Sequence, residues 1–289
     1  MSVDAAFAEQ VRGVSPGVYA ADDFRAIANM VYTETGIVLS SGKVMLVFSR
    51  LASLVRSSGQ STFAAYAKLI ENDLDERRRA ISALTTNHTF FYREAHHFQH
   101  FAQEVRPAML RKLQAGGAIR IWSAGCSSGE ETWSLVITLL GEDRTEGKQV
   151  STTNVRVLAS DIADQALLDA NEAQYHSADF THVPQVLRRN WINENEDKVT
   201  IAEEAHRITR FRKLNLQGDW PMSGQFDVIF CRNVMIYFDQ PARAKLIERF
   251  AEHLVCGGHL YIGHSEQAAG PAAALFEAVG PTIYRRNAR

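Results

Sequence analysis

A change in hydrophobic periodicity near residue 85 constrains the fold of this chain more than any other feature. Before it, apolar residues recur at helical spacing and no strand pattern interrupts them. After it, short β-branched runs alternate with helical segments, which indicates a mostly parallel sheet covered by helices. The 289 residues suffice for one large domain with a smaller companion. We therefore expect an all-helical domain over 1–84, a linker over 85–97 and an α/β domain over 98–289.

The helical part is expected to form a small bundle. Asp22 and Asp23 are placed to cap a first helix that Gly36 ends, because carboxylates accept hydrogen bonds from the free N–H groups at a helix start. Three more helices are expected from residue 40, from residue 61 and over 75–84. Apolar residues on one face of each helix would give the bundle a shared core.

The second part is expected to be a doubly wound α/β sheet. Strands are predicted at 119–124, 155–160, 226–231 and 259–263, and helices at 130–140, 164–173 and 240–254. The stretch 175–214 breaks this alternation. Its runs 198–201 and 207–211 are typical of antiparallel hairpin strands, so we expect a small β insertion there.

Composition excludes several classes of protein. A formal net charge of −2 argues against a protein that coats nucleic acid, and no apolar run approaches the roughly 20 residues of a membrane span. The three cysteines have no CxxC pair, which gives no zinc spacing and suits a reducing compartment. Because the N-terminus also lacks a secretory signal pattern, we expect a cytoplasmic protein without direct membrane insertion.

The loops at the carboxyl ends of the strands are the expected ligand site, as in other open α/β sheets. The loop 123–131 is rich in glycine and serine, but Glu130 and Glu131 open its helix and would repel a pyrophosphate. A cationic or hydroxyl-rich ligand fits these carboxylates better. Taken alone, the loop is more typical of an ordinary glycine turn between a strand and a helix than of a ligand site.

Three further loops add polar residues at the same edge. Asp161 is placed to accept hydrogen bonds from a ribose diol or, equally, to cap the next helix. Asn215 could border an adenine, although a turn-forming role is more typical of an asparagine at such a position. The pair Arg232 and Asn233 directly follows the third strand. Together the loops predict an adenosine-containing ligand without phosphates, and S-adenosylmethionine is such a ligand.

Five segments of the chain resemble one known family. They are TTNHTFFYREAHHF (85–98), SAGCSSGEE (123–131), ASDI (159–162), FDVIFCRNVMIYF (226–238) and GGHLYIGHSE (257–266). In this order they look like the chemotaxis receptor methyltransferases, the CheR family. The resemblance implies a Rossmann-like class I S-adenosylmethionine-dependent methyltransferase domain with a small antiparallel β insertion, preceded by an all-helical domain. It also implies a protein-glutamate O-methyltransferase that esterifies the helical cytoplasmic region of chemoreceptors for sensory adaptation, with S-adenosylhomocysteine as the second product.

The resemblance also implies roles for individual residues by motif position. Asn87, Thr89 and Arg93 of the linker would contact the cofactor. Glu131 would bind the amino-acid end of the cofactor, and Asp161 would bind its ribose. No metal ion is implied.

The later motifs complete the implied site. Asn215 and Leu216 would lie beside the adenine, and Arg232 and Asn233 would form the floor of the site. Tyr237 would lie close to the methyl group that is transferred. All of these assignments come from the resemblance alone.

The expected chemistry is simple. A glutamate with a reference pKa of about 4.3 is already a carboxylate at neutral pH, so methylation needs alignment and removal of water rather than a strong base. Arg93 is suited to hold the incoming carboxylate because a guanidinium matches its geometry and stays charged. Arg93 and Tyr237 are therefore the expected catalytic residues.

Two other functions fit the same residues. A small-molecule O-methyltransferase would use the same fold with a closed substrate pocket, whereas a protein substrate needs an open groove. A non-catalytic module that binds the cofactor or a partner for signalling is the second alternative. The set of polar residues at the strand ends argues against this module, since a scaffold does not need it.

Some positions depart from the family pattern. Thr132 and Trp133 stand where Pro-Tyr is common, which should change packing at the helix start without abolishing binding. The second helix, strongly basic in well-known members, carries only Lys43, Arg50 and Arg56. Its bulk charge is therefore a weak source of attraction for acidic receptor helices.

The last departure concerns the β insertion. Some members bind the C-terminal pentapeptide of a receptor through a glycine-containing loop, whereas the turn 193–197 here is short, acidic and free of glycine. We therefore expect no pentapeptide tether, and micromolar binding of a receptor tail peptide in calorimetry would contradict this. No feature calls for a dimer, so a monomer is expected.

Overall fold

Contacts within the chain define two units. The computed structural model describes residues 2–11, 13–85, 87–194 and 198–287. The first unit comprises Met1–Thr86 and Tyr237–Ala242, and the second comprises Asn87–Ile236 and Arg243–Arg289. Across these described ranges, no helix has the length and apolar character needed to cross a membrane.

The first unit is a helical bundle. Its helices are α1 (Val3–Gln10), α2 (Ala21–Thr35), α3 (Val44–Ser57), α4 (Phe63–Asn72) and α5 (Leu74–Leu84). Tyr19, Phe24 and Phe63 are almost fully buried in their shared core, and the rings of Tyr19 and Phe63 lie 4.4 Å apart. Burial of these apolar faces is what stabilises helices as short as these.

The two ends of α2 compare differently with the sequence prediction. Ala20 is the residue that precedes the helix, and Asp23 accepts a hydrogen bond from the Ala20 N–H at 2.8 Å. The prediction that Asp22 and Asp23 cap the start of this helix is therefore wrong, because both residues lie inside its first turn. The end at Gly36 is confirmed, with a φ of 73° and its N–H on the Tyr32 carbonyl.

The second unit is built on ten strands within its described residues. They are β1 (Ile119–Ala124), β2 (Val155–Asp161), β3 (Gln174–Tyr175), β4 (Ile192–Glu194), β5 (Val199–Ile201), β6 (Thr209–Lys213), β7 (Phe226–Cys231), β8 (Leu254–Ile262), β9 (Phe276–Gly280) and β10 (Ile283–Arg286). The main sheet has the order β6-β2-β1-β7-β8-β10-β9. Its first five strands are parallel, and β10 is antiparallel to both of its neighbours.

Helices cover both faces of the main sheet, as the sequence predicts. They are α6 (His96–His100), α7 (Arg106–Gln114), α8 (Glu130–Leu140), α9 (Arg144–Thr152), α10 (Asp164–Glu172), α11 (Gln185–Trp191), α12 (Glu203–Ile208) and α13 (Gln240–His253). Consecutive residues of β1 point to opposite faces. Ile121 shares a core with Val136 of α8, whereas Trp122 packs 5.6 Å from the Phe250 ring of α13.

The insertion is smaller than the sequence indicates. Strand β5 is antiparallel to β3 and β4, which confirms the hairpin prediction for 198–201. The hairpin prediction for 207–211 is wrong, because β6 pairs parallel with β2 at the edge of the main sheet. The segment between β2 and β6, which contains α10 and α12, forms the crossover connection that a parallel pair requires. Of the acidic turn, residues 195–197 lie outside the described residues.

Candidate active site

The loops after β1 and β7 meet at the carboxyl edge of the sheet. Gly125, Ser127 and Gly129 of the first loop all have positive φ, at 81°, 50° and 97°. A Cβ on Gly125 would lie 2.4 Å from a methyl carbon of Val234 in the second loop. Only glycine permits this approach at such a φ. Gly125 therefore allows the loops after β1 and β7 to pack directly together.

Asp161 joins the end of β2 to the loop after β1. Its carboxylate accepts hydrogen bonds from the N–H groups of Ser127 at 2.8 Å and Ala163 at 3.0 Å. Burial raises the pKa of Asp161, and the backbone N–H groups oppose that rise. Its interpretation as a helix cap is wrong, because Ala163 occupies the N-cap position of α10. The carboxylate has lone pairs left for the hydroxyls of a ligand.

Asn215 and Leu216 follow β6 beside the end of β2. The Leu214 N–H donates to the Asp161 carbonyl at 2.9 Å, so the two loops are directly connected. The Asn215 side-chain oxygen accepts from the Gln217 N–H at 2.9 Å, and Leu216 is buried. The amide of Asn215 thus shapes its own turn, which is the turn interpretation left open by the sequence.

Arg232 is a buried cation between two carboxylates. It is 5% exposed, its Nη1 donates to Glu131 at 3.3 Å, and its Nη2 lies 3.4 Å from Oε2 of Glu94. Glu131 also accepts from the Ser123 hydroxyl at 2.9 Å. Burial raises the pKa of Glu131, and the guanidinium opposes the rise. Glu131 and Arg232, both predicted site residues, therefore form one ion pair at the carboxyl edge of the sheet.

Glu94 is a member of the site that sequence reasoning missed. Its Oε1 accepts from the Asn233 amide at 3.3 Å and is 2.9 Å from Nδ1 of His264. Burial acts to raise its pKa, but Arg232 and His264 outweigh burial and lower the pKa to about 2. The signal was present, because Glu94 directly follows Arg93 in a motif quoted for another residue.

Glu266 is a second residue without a predicted role. Its buried carboxylate accepts from the N–H groups of Asn233 at 3.0 Å, Ile236 at 3.1 Å and Gly263 at 2.6 Å. Burial raises its pKa, and these backbone donors oppose the rise. Asn233 itself has a φ of 59°, a conformation that few residues adopt without support. Glu266 therefore holds the loop that carries Arg232 and Asn233.

The linker contributes backbone as well as side chains. The Asn87 carbonyl accepts from the Ser127 hydroxyl at 3.3 Å, which attaches the linker to the loop after β1. One guanidinium nitrogen of Arg93 donates to the His88 carbonyl at 2.9 Å. The Asn87 side chain is exposed, and Thr89 is partly exposed.

Tyr237 belongs to a different unit from the other predicted site residues. Its contacts group it with the first unit, where its carbonyl accepts from the Val38 N–H at 2.8 Å. The neighbouring Asp239 accepts from the Tyr32 hydroxyl at 2.7 Å within the same unit. The remaining predicted site residues all belong to the second unit.

The charged side chains at the site in the second unit suit a ligand that combines a nucleoside, an amino-acid group and a cationic centre. Glu94 and Glu131 place two carboxylates beside one guanidinium, and Asp161 adds a third carboxylate at the end of β2. Among the described residues, Nε of Arg232 is buried without a hydrogen-bond partner. The carboxylate of an amino-acid group supplies an acceptor for such a donor, and a ribose suits Asp161. These residues therefore fit S-adenosylmethionine.

Comparison with known proteins agrees with this geometry. Residues 87–284 match the family model described as CheR methyltransferase, SAM binding domain, and residues 22–85 match CheR methyltransferase, all-alpha domain. The "Probable chemotaxis protein methyltransferase" of Rhizobium etli is 40% identical over 89% of this chain and 96% of its own length. Chemotaxis protein methyltransferases of Borreliella burgdorferi and Pseudomonas aeruginosa are 35% and 37% identical over 92% of this chain, covering 94% and 93% of theirs. The chain belongs to the CheR family of S-adenosylmethionine-dependent methyltransferases.

Proposed function

We propose that this protein transfers the methyl group of S-adenosylmethionine to glutamate side chains of chemoreceptors, giving glutamate methyl esters and S-adenosylhomocysteine. Family membership supports the reaction and its receptor substrate. The observation that carries the assignment to this site is the Arg232 guanidinium held between Glu94 and Glu131. Such an acidic enclosure suits a sulfonium cation and does not suit the phosphates of a nucleotide.

We assign the cofactor contacts by the position of each loop. Asp161 binds the ribose, Asn215 and Leu216 border the adenine, and Glu131 binds the amino group. The support for Asp161 is a carboxylate that is fixed by backbone donors at the end of β2. Its geometry costs no reorganisation when a diol arrives.

The remaining cofactor contacts come from the linker and the loop after β7. Asn87 and Thr89 border the cofactor from the linker, while Arg232 and Asn233 form the floor. The support for Asn87 and Thr89 is the hydrogen bond that the Ser127 hydroxyl of the glycine loop donates to the Asn87 carbonyl. The linker and the loop after β1 are therefore proposed to form one side of the cofactor site.

The chemical step is a displacement at carbon. A glutamate carboxylate oxygen forms a bond to the methyl carbon while the carbon–sulfur bond breaks, and its electron pair stays on sulfur. The carboxylate loses its charge and the sulfonium becomes a neutral thioether, so no proton has to move. The protein's task is to align the reacting atoms and to remove water from the nucleophile.

Arg93 is the group we assign to hold the incoming carboxylate. One nitrogen of its guanidinium is used on the His88 carbonyl, so other donors remain available. The guanidinium carbon lies 5.9 Å from the centre of the Phe90 ring, which is partly exposed. A cation–π contact of this kind uses the face of the ring and consumes none of the hydrogen-bond donors of the guanidinium.

An assay of transferred label tests the whole function. Labelled S-adenosylmethionine is incubated with the protein and with membranes that contain receptors, and the product is treated with base. We expect label on receptor that is released as methanol, the signature of a methyl ester. Label on small metabolites would indicate a small-molecule O-methyltransferase, and no transfer at all would indicate a binding module.

Tyr237 is proposed to orient the methyl group or the carboxylate through its phenol. The substitution Tyr237→Phe removes one hydroxyl and keeps the ring, so we expect a fall in kcat of about tenfold, the usual scale of one hydrogen bond to a charged group. The affinity for S-adenosylhomocysteine should stay within twofold. Full activity of this variant would restrict Tyr237 to packing.

Receptor recognition is proposed to depend on shape and Arg93 rather than on bulk charge or on a pentapeptide tether. Arg50, on the helix that is basic in other members, donates to the Ala83, Leu84 and Thr85 carbonyls at 3.4, 3.1 and 2.6 Å. These carbonyls lie at the end of α5, so Arg50 serves the bundle itself. Arg77 is likewise paired with Glu34 at 2.7 Å.

A further inference from the structure

The turn that carries Arg93 has an unusual backbone. Tyr92 and Glu94, on either side of Arg93, have positive φ values of 59° and 57°. Bulky residues adopt this conformation at a cost, and it persists only where the surroundings hold it. Because both neighbours of Arg93 have this conformation, surrounding contacts must hold the backbone that positions the Arg93 side chain.

Contacts on both sides of this turn hold it in place. Arg232 donates to the backbone carbonyl of Arg93 and pairs with the Glu94 carboxylate, at 3.4 Å. On the other side, the Tyr92 N–H donates to the Ser134 hydroxyl at 3.0 Å. Removing the Glu94 charge would therefore release one anchor of the turn while leaving the other in place.

The geometry points to Glu94 as the residue that positions Arg93, acting through Arg232. The inference rests on the proposed function, because it assigns to Arg93 the reception of the substrate carboxylate. Glu94 itself touches neither the substrate nor the reacting atoms. Its carboxylate fixes the guanidinium of Arg232, and that guanidinium fixes the carbonyl of the residue whose side chain does the work.

Other partners of Glu94 support positioning rather than simple charge balance. The Asn233 amide and His264 converge on the oxygen Oε1, while Oε2 faces Arg232. One carboxylate thus links the linker to the loops after β7 and β8. Because a displacement requires near-linear alignment, a shift of about 1 Å in Arg93 is enough to cost about 100-fold in rate.

The test is the substitution Glu94→Gln, which keeps size and one acceptor oxygen but removes the charge. Turnover is expressed per molecule that binds S-adenosylhomocysteine, so that misfolded protein does not count. We expect kcat to fall about 10- to 100-fold, with cofactor affinity changed less than fivefold. Glu94→Asp should be intermediate. The matched control is Glu277→Gln, whose partner Arg285 lies on the surface, and it should match the wild type.

A double-mutant cycle with Arg93→Lys separates positioning from a general structural effect. If Glu94 acts by placing Arg93, the double variant is hardly slower than the slower single variant, because contacting groups are not additive. Multiplicative effects, or an unchanged turnover per cofactor-binding molecule in Glu94→Gln, would overturn the inference. Failure of the proposed function would look different, because the wild type would then not methylate the receptor.

Discussion

Replacing Arg232 with methionine is expected to destabilise the second unit by about 3–5 kcal/mol. The substitution removes the guanidinium that pairs with both Glu94 and Glu131, and it leaves the buried Glu131 carboxylate without a cation beside it. Breaking a buried ion pair on one side costs this much because the remaining charge is desolvated and uncompensated. Cofactor binding should be lost with it.

Urea unfolding followed by tryptophan fluorescence measures the effect. The chain has four tryptophans, and all of them, at 122, 133, 191 and 220, belong to the second unit. Their signal therefore reports on the unit that contains Arg232. An unfolding midpoint equal to that of the wild type would mean that the buried pair contributes nothing to stability.

The control for Arg232 is a salt bridge of the same chemistry at the surface. Arg285 pairs with Glu277 at 2.7 Å, and their side chains are 49% and 54% exposed. Exposed pairs contribute at most about 1 kcal/mol. Arg285→Met should therefore shift the free energy of unfolding by less than that, which ties the larger effect at Arg232 to burial.

Most of the sheet is predictable from the sequence because buried parallel strands are continuous apolar runs. Strands β1, β2 and β7 coincide closely with their predicted segments, and α8 matches its prediction at both ends. The strands β9 and β10 were not anticipated. Their sequence mixes charged and apolar residues, as is common in antiparallel strands, and most of their residues are partly buried or exposed.

The direction of β6 shows what periodicity leaves undetermined. Alternation in Thr209–Lys213 indicates a strand, but the partner strand decides whether it is parallel, and here the partner is β2. The helix before it, α12, has only six residues, which is fewer than two turns, so its apolar periodicity is difficult to recognise in the sequence. Pairing is a property of tertiary contacts, so a local pattern predicts the element and not its neighbour.

The site divides along similar lines. Residues that stand directly after strands, such as Asp161 and Arg232, could be placed from the sheet topology alone. Glu94 and Glu266 could not, because their roles consist of bonds to loops distant in sequence. A carboxylate that holds backbone N–H groups carries no spacing signature. Sequence reasoning therefore finds the groups that face a ligand before those that support them.

Replacing Arg93 with alanine is expected to reduce kcat/KM for receptor methylation by about 100-fold or more. A hydrogen bond to a charged group contributes about 1.5–3 kcal/mol, and a bidentate guanidinium supplies two. Arg93 is partly exposed, and its described side-chain contacts are with the linker, namely the His88 carbonyl and the Phe90 ring. Its loss should therefore leave the fold intact and remove the grip on the substrate carboxylate.

Kinetics with purified receptor fragments and labelled cofactor measure this loss. Arg93→Lys should recover only part of the activity, because an ammonium keeps the charge but cannot form the two parallel bonds of a guanidinium. Since the Arg93 carbonyl still accepts from Arg232 in both variants, the turn itself should persist. Near-wild-type turnover of Arg93→Ala would remove it from the catalytic site. A loss of cofactor affinity with unchanged kcat would restrict Arg93 to its expected contact with the cofactor, because only an interaction with the transition state lowers kcat and kcat/KM together.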